Sequence, residues 1–245
     1  MARPELARSL VDAAARLGIQ LTDAQLARLD QLGAALREGN QRVNLTRITD
    51  PADIELRHFL DSLSAAVPLL DRLNQGAALR LVDVGSGGGM PGLPLKIAFP
   101  ALEVTLIESV NKKADFLRQT IADLGLSEVN VVADRAELAA RMPEHRDAYD
   151  WAAARALGPL PVVVELCAPF LDQGGLLVAL RSGDLDAEVL RAAPVFKALR
   201  LWSRTPIYLE LPGLHGHGLV VGEKYARTPD TYPRRPGVPR KRPLV

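Results

Sequence analysis

The sequence predicts an α/β fold: a doubly wound, mostly parallel sheet with helices on both faces, an antiparallel edge and an N-terminal helical extension. Three observations carry this. From Gly76 onward, short apolar runs alternate with amphipathic stretches, the signature of a parallel sheet covered on both sides. The first 75 residues show helical periodicity alone. A glycine-rich loop comes after the first apolar run, where doubly wound sheets bind their ligands.

In chain order, residues 5–17 place Leu6, Leu10, Ala13, Ala14 and Leu17 on one helical face, and Gly18 is a stop. Thr22, with Gln25 three residues on, forms a capping-box pattern ahead of the stripe Leu26, Leu29, Leu32 and Leu36. Asp50-Pro51 reads as a cap and a first-turn proline, followed by Ile54, Phe59, Leu60 and Leu63. Strands are expected at Leu79–Val84, Val104–Ile107, Val129–Val132, Trp151–Ala154 and Leu176–Leu180. Helices are expected between and after them, at 91–99, 111–124, 135–141, 158–171 and 185–193. Leu199–Tyr208 and Gly218–Lys224, with no helix between them, predict an antiparallel pair at the sheet edge. The division expected is a helical extension over 1–75, a ligand-binding domain over 76–225 and a basic, proline-rich tail over 226–245.

Composition narrows the function classes. Hydrophobic residues make up 48% and charged residues 24%, as in ordinary globular domains. No apolar run reaches the roughly 18 residues of a membrane span. Met1 to Leu10 carries Arg3, Glu5 and Arg8 without an apolar core, so it does not read as a secretory signal, and a cytoplasmic location is expected. Cys167 is the single cysteine, which excludes an internal disulfide and a thiolate metal site. From Lys224 to Val245 there are seven basic residues (Lys224, Arg227, Arg234, Arg235, Arg240, Lys241 and Arg242) and one acid, Asp230. That net +6 leaves −5 for the rest of a chain whose total is +1. A basic end on a near-neutral body points to an anionic partner.

The loop reads Leu81-Val82-Asp83-Val84-Gly85-Ser86-Gly87-Gly88-Gly89-Met90-Pro91-Gly92. The dinucleotide fingerprint wants glycine at its first, third and sixth positions; Gly85 and Gly87 fit, but the sixth is Met90. A loop headed by an acid, with glycine at every second position, instead looks like the first motif of S-adenosylmethionine methyltransferases. Glu108 ends the second strand, 25 residues after Asp83, where a carboxylate can accept both ribose hydroxyls of an adenosine. Glu108 does not choose between adenosylmethionine and NAD. Asp134, Ala136 and Glu137 come after the third strand, where an adenine ring is expected.

Several further segments, each weak alone, together resemble one family, the bacterial small-subunit rRNA guanine-N7 methyltransferases, also called glucose-inhibited division protein B. They are Asn44-Leu45-Thr46, Arg57-His58-Phe59-Leu60-Asp61-Ser62-Leu63, Met90-Pro91-Gly92-Leu93-Pro94-Leu95, Asn111-Lys112-Lys113, Arg135-Ala136-Glu137, Ala154-Arg155-Ala156 and the tail from Tyr232 to Leu244. The resemblance implies a Rossmann-like methyltransferase sheet, S-adenosyl-L-methionine as cofactor, and methyl transfer to a guanine in the decoding-region loop of 16S rRNA. It implies cofactor contacts at Gly85, Met90, Ser109, Val110, Asn111, Ala136, Glu137 and Arg155, beside Glu108. The chain departs from the family pattern at Gly39, usually tryptophan, at Val43, usually tyrosine, and at Met90 and Arg181-Ser182-Gly183.

Guanine N7 carries a lone pair and needs no deprotonation, so no general base is assigned and the catalytic residues are left unknown. His58 and Asp61 are equally readable as a helix-surface pair. His215 and His217, without cysteine or a nearby acid, make a poor metal site, and no metal is expected. Arg234, Arg235, Arg240, Lys241 and Arg242 are expected to hold RNA phosphates. The tail's five prolines favour an extended arm. The partner expected is 16S rRNA, naked or in the small subunit, with the protein acting as a monomer away from membranes. The competing readings are a small-metabolite methyltransferase, an NAD-dependent oxidoreductase and a non-enzymatic rRNA-binding assembly factor.

Overall fold

The structure is a computed structural model that describes residues 5–245, with side chains from Leu10 onward. The Leu6 side chain and the charges of Arg3, Glu5 and Arg8 therefore lie outside the described residues.

The extension opens with α1 (Glu5–Arg16) and α2 (Asp23–Asn40). Both bonds of the capping box at Thr22 form: the Gln25 N–H donates to Thr22 Oγ1 and the Thr22 N–H to Gln25 Oε1. Next comes a continuous helical run: α3 (Pro51–Ile54), a π-helical segment (Glu55–Leu60) and α4 (Asp61–Ser64). Asp50 caps it by accepting from the Ala52 and Asp53 amides. A short α5 (Leu70–Asn74) leads into the sheet.

The rest of the chain forms β1 (Arg80–Val84), α6 (Gly92–Ala98), β2 (Glu103–Ile107), α7 (Asn111–Asp123), β3 (Val129–Val132), α8 (Ala136–Ala139), β4 (Tyr149–Arg155), α9 (Leu160–Cys167), β5 (Leu171–Ser182), α10 (Leu185–Ala198), β6 (Leu201–Ser203), β7 (Ile207–Tyr208), β8 (His217–Lys224) and α11 (Val238–Lys241). The strands lie in the order β3-β2-β1-β4-β5-β8-β6, with β7 also paired to β8. The pairs from β3 to β5 are parallel, and β8 runs antiparallel to β5, β6 and β7. The expected antiparallel edge is present, but it comprises three strands, because β8 inserts between β5 and β6. The expected stop before Pro194 does not occur: α10 continues through it to Ala198.

The sheet is apolar on both faces because consecutive strand residues point to opposite sides. Leu81, Trp151, Ala153, Val178 and Val221 join the core that holds Leu29, Leu36, Phe59 and Leu93. Val82, Ala152, Ala154, Leu177 and Val220 join the opposite core, with Val163 and Phe196. The N-terminal helices thus share one core with α6 and α7. The chain builds β1, β2 and β3 outward on one side, then returns to lay β4 and β5 on the other. The crevice beyond the tips of β1 and β4 is therefore the topological switch point.

Residues 226–245 correct the expectation of a free extended arm. Arg146 donates to the carbonyls of Thr228 and Tyr232, Arg141 donates to that of Pro233, and Arg234 pairs with buried Glu165. The segment lies folded against the domain and ends in α11. The prolines rule out a long helix, but the arginine-to-carbonyl bonds dock the chain.

Candidate cofactor and substrate site

The loop after β1 is tied to the tip of β2. The Gly85 and Ser86 amides donate to the Ile107 carbonyl at 2.9 and 3.1 Å. The Gly87 N–H donates to Glu108 Oε2 at 2.9 Å, and the Val110 N–H donates to Glu108 Oε1 at 2.8 Å. Each carboxylate oxygen keeps a lone pair beyond these bonds, so two hydroxyls can still be accepted. Gly85 has φ +79, which strains any side chain, and a Cβ there would lie 2.6 Å from Leu157 Cδ1, which would have to shift.

Asp83 sits behind the loop, 1% exposed. Its Oδ2 accepts the Gly92 N–H at 2.9 Å, fastening the start of α6 to β1, and its Oδ1 has no hydrogen-bond partner among the described residues. Burial pushes its carboxyl up to about 7, with the Gly92 N–H pulling the other way.

A cleft of about 360 Å³ opens above the loop, within the size range of small-molecule sites. Gly85, Glu108, Ser109, Val110, Ala136 and Glu137, each expected from sequence to contact the cofactor, line it. Lys113, Leu157 and Arg240 line it as well, and local sequence does not single them out as cofactor contacts. Asn111 starts α7 just outside the cleft lining. Met90 and Arg155 line an adjoining cavity of about 330 Å³, which shares Gly85, Gly87, Lys113 and Ala156 with the cleft. The glycine cradle, the anchored acid and the size of the cleft fit S-adenosylmethionine. Its ribose would fall to Glu108, and its amino-acid end to the loop on the Met90 and Arg155 side.

Arg155 is the centre of a polar chain that sequence spacing does not reveal. Its Nη2 donates to His58 Nδ1 at 2.6 Å, and its Nε lies 3.3 Å from Asp61 Oδ2. Arginine only donates, so His58 Nδ1 is an acceptor and the ring proton sits on Nε2. That nitrogen then donates to Thr46 Oγ1 at 2.8 Å. Burial, reinforced by the Arg155 charge, holds the His58 imidazole down at about 4. Asp61 Oδ1 accepts from His217 Nδ1 at 3.2 Å. His58 and Asp61 are thus buried and bonded to Arg155, not a surface pair. The chain links the N-terminal helices to β4 and β8. Among the described residues, no group of three His, Cys, Asp or Glu side chains could hold a metal ion.

At Gly39, a Cβ would come within 2.5 Å of the Phe116 ring and 3.0 Å of Leu45.

The family description "rRNA small subunit methyltransferase G" belongs to the GidB sequence model, which matches residues 25–201. A ribosomal RNA small subunit methyltransferase G of Roseiflexus castenholzii is 44% identical over 230 residues, covering 93% of this chain and 95% of that one. Its counterpart in Dehalococcoides mccartyi is 41% identical over 237 residues, covering 96% and 99%. A predicted O-methyltransferase of Agrobacterium tumefaciens shares the fold, with a TM-score of 0.50 at 20% identity over 62% of this chain and 77% of that one. Likeness of this extent, running through the helical extension as well as the sheet, places the chain in the GidB family of small-subunit ribosomal RNA methyltransferases.

Proposed function

We propose that this chain transfers a methyl group from S-adenosylmethionine to N7 of a guanine in the decoding-region loop of 16S rRNA. The observation that carries the cofactor half is the fixed Glu108 carboxylate, held by the Gly87 and Val110 amides across the glycine loop. When bound, the cofactor supplies an electrophilic methyl group on a sulfonium. The chain's own residues position and enclose. Glu108 takes the sugar, and the loop backbone approaches closely because Gly85 has no side chain. A guanine N7 needs alignment with the methyl group and no proton removal, so the absence of an assigned base is no obstacle.

The target base is assigned to a third cavity, of about 260 Å³, which shares Arg155 and Ala156 with the cavity that Met90 lines. Arg57, Asp61, Ser182 and His217 line it. Guanine presents O6 as an acceptor beside N7, so a donor such as Arg57 can hold O6 and leave the N7 lone pair free to attack the methyl group. Arg235, Lys241 and Arg242, exposed along the tail, supply phosphate contacts. Arg234 is committed to Glu165 and contributes less. No described helix is long and apolar enough to cross a membrane. A monomer working in the cytoplasm on rRNA accords with these features.

Calorimetric titration of the purified protein with S-adenosylmethionine, S-adenosylhomocysteine and NAD tests the cofactor assignment. Saturable binding of the first two with none of the third is expected. Binding of NAD alone would overturn it in favour of an oxidoreductase, and no binding of any would favour a non-enzymatic RNA-binding protein.

A further inference from the structure

The basic tail reaches into the cleft beside the glycine loop. Glu165 on α9 is completely buried, and it accepts from the Arg234 backbone N–H at 2.9 Å, from Nε at 2.8 Å and from Nη2 at 2.6 Å. Three residues on, the Gly237 N–H donates to Glu137 Oε1 at 2.8 Å, and α11 begins. Glu137 is only 5% exposed. α11 carries Arg240 over the cleft, where Nη2 lies 3.2 Å from the Leu157 carbonyl. Leu157 is the residue whose side chain abuts Gly85.

Burying a carboxylate is costly unless it is fully partnered. An arm that only trails phosphates has no need of such a fixture. Two buried acids fix the chain at Arg234 and at Gly237, so α11 is held in place at its first turn. Arg240 is thereby set over the cleft, and its guanidinium spends one donor on Leu157 and keeps others for a ligand there.

We infer that the C-terminal segment is a wall of the cofactor cleft, that Arg240 contacts the adenosine end of the cofactor, and that Glu137 anchors this wall. The inference rests on reading the cleft as the cofactor site. It assigns Arg240 to the cofactor and leaves RNA phosphates to the tail's other exposed cations.

The test is titration of full-length wild type, Arg240→Ala, Glu137→Ala, Glu137→Gln and the Glu137→Ala/Arg240→Ala double variant with S-adenosylhomocysteine. Arg240→Ala, at an exposed position that folding tolerates, is expected to weaken binding by roughly fivefold to tenfold, as for one lost contact. Glu137→Ala should act through the same wall, so the double variant should be no weaker than the weaker single variant. Glu137→Gln keeps an oxygen for the Gly237 N–H and should stay near wild type. In wild type, saturating S-adenosylhomocysteine should also slow tryptic cleavage after Arg240 and Lys241. Wild type that binds while Arg240→Ala binds equally overturns this inference alone, as do multiplicative losses in the double variant or an unprotected tail. Wild type that does not bind at all overturns the cofactor reading, and this inference with it.

Discussion

Arg155 Nε and Asp61 Oδ2 stand 3.3 Å apart, and this pair joins the tip of β4 to α4 of the N-terminal extension. With only 17% and 6% of the two side chains exposed, it belongs with buried ion pairs and not with surface ones. His217 bonds the other oxygen of the same carboxylate, so the amide in Asp61→Asn would leave Arg155 buried without its anion. A loss of roughly 3 kcal/mol in urea unfolding, with an unchanged slope, is expected. Stability within about 1 kcal/mol of wild type would mean that Arg155 is neutralised by another group.

His58 and Asp83 pull stability in opposite directions with pH. His58 is held down at about 4 from its usual 6.5, chiefly by burial. Between those values the unfolded chain binds the extra proton, so the His58 contribution is complete above 6.5 and is lost as pH falls toward 4. Asp83 is raised from 3.8 to about 7, again by burial. There the folded chain holds the extra proton, so the Asp83 contribution declines as pH rises through that window. The two slopes offset each other in wild type. Asp83→Asn should therefore make stability fall more steeply on acidification, by up to about 1.4 kcal/mol per pH unit. His58→Gln should shift the profile the other way. Denaturation midpoints across this range are the measurement, and an Asp83→Asn profile parallel to wild type would contradict the assignment.

Glu108 organises the loop and is assigned the ribose. Glu108→Ala removes the acceptor for two backbone amides and two sugar hydroxyls together. Affinity for S-adenosylhomocysteine should drop by about 100-fold, the equivalent of two net hydrogen bonds. Glu108→Gln should fall between, since one oxygen remains. Calorimetry decides, and a change below about threefold in Glu108→Ala would place the sugar elsewhere.

Salt dependence tests the RNA side. Each phosphate contact contributes about 0.7 to 0.9 to the slope of log affinity against log salt. Replacing Arg235, Lys241 and Arg242 with alanine should therefore flatten the slope for rRNA by roughly 2 to 3. A slope equal to that of wild type would show that the tail's exposed cations face solvent in the complex.

Local signals are legible in the sequence, and long-range ones are not. The Thr22 capping box, the alternation that splits Ala152 from Ala153 across the sheet, and Glu108 at the tip of β2 all arise from neighbours a few residues apart. His58 and Asp61, three residues apart, read equally well as a surface pair, because the arginine that buries them comes from β4. The docking of Arg234 depends on Glu165, a helix residue with no mark of its role in a local pattern. Prolines in the tail announce the lack of a long helix but not where the chain lies. β7 spans two residues, too few to show a period, and the π-helical turn that carries His58 has the same apolar spacing as its α-helical flanks.

The most direct test is to incubate small-subunit rRNA, naked and within the subunit, with purified protein and S-adenosylmethionine. Reduction and strand scission, which cut at N7-methylguanine, then locate the product. One new cut at a guanine of the decoding-region loop, dependent on both protein and cofactor, is the predicted result. Methylation that appears at another atom, or that fails to appear although the cofactor binds, would contradict the assignment of this enzyme to guanine N7.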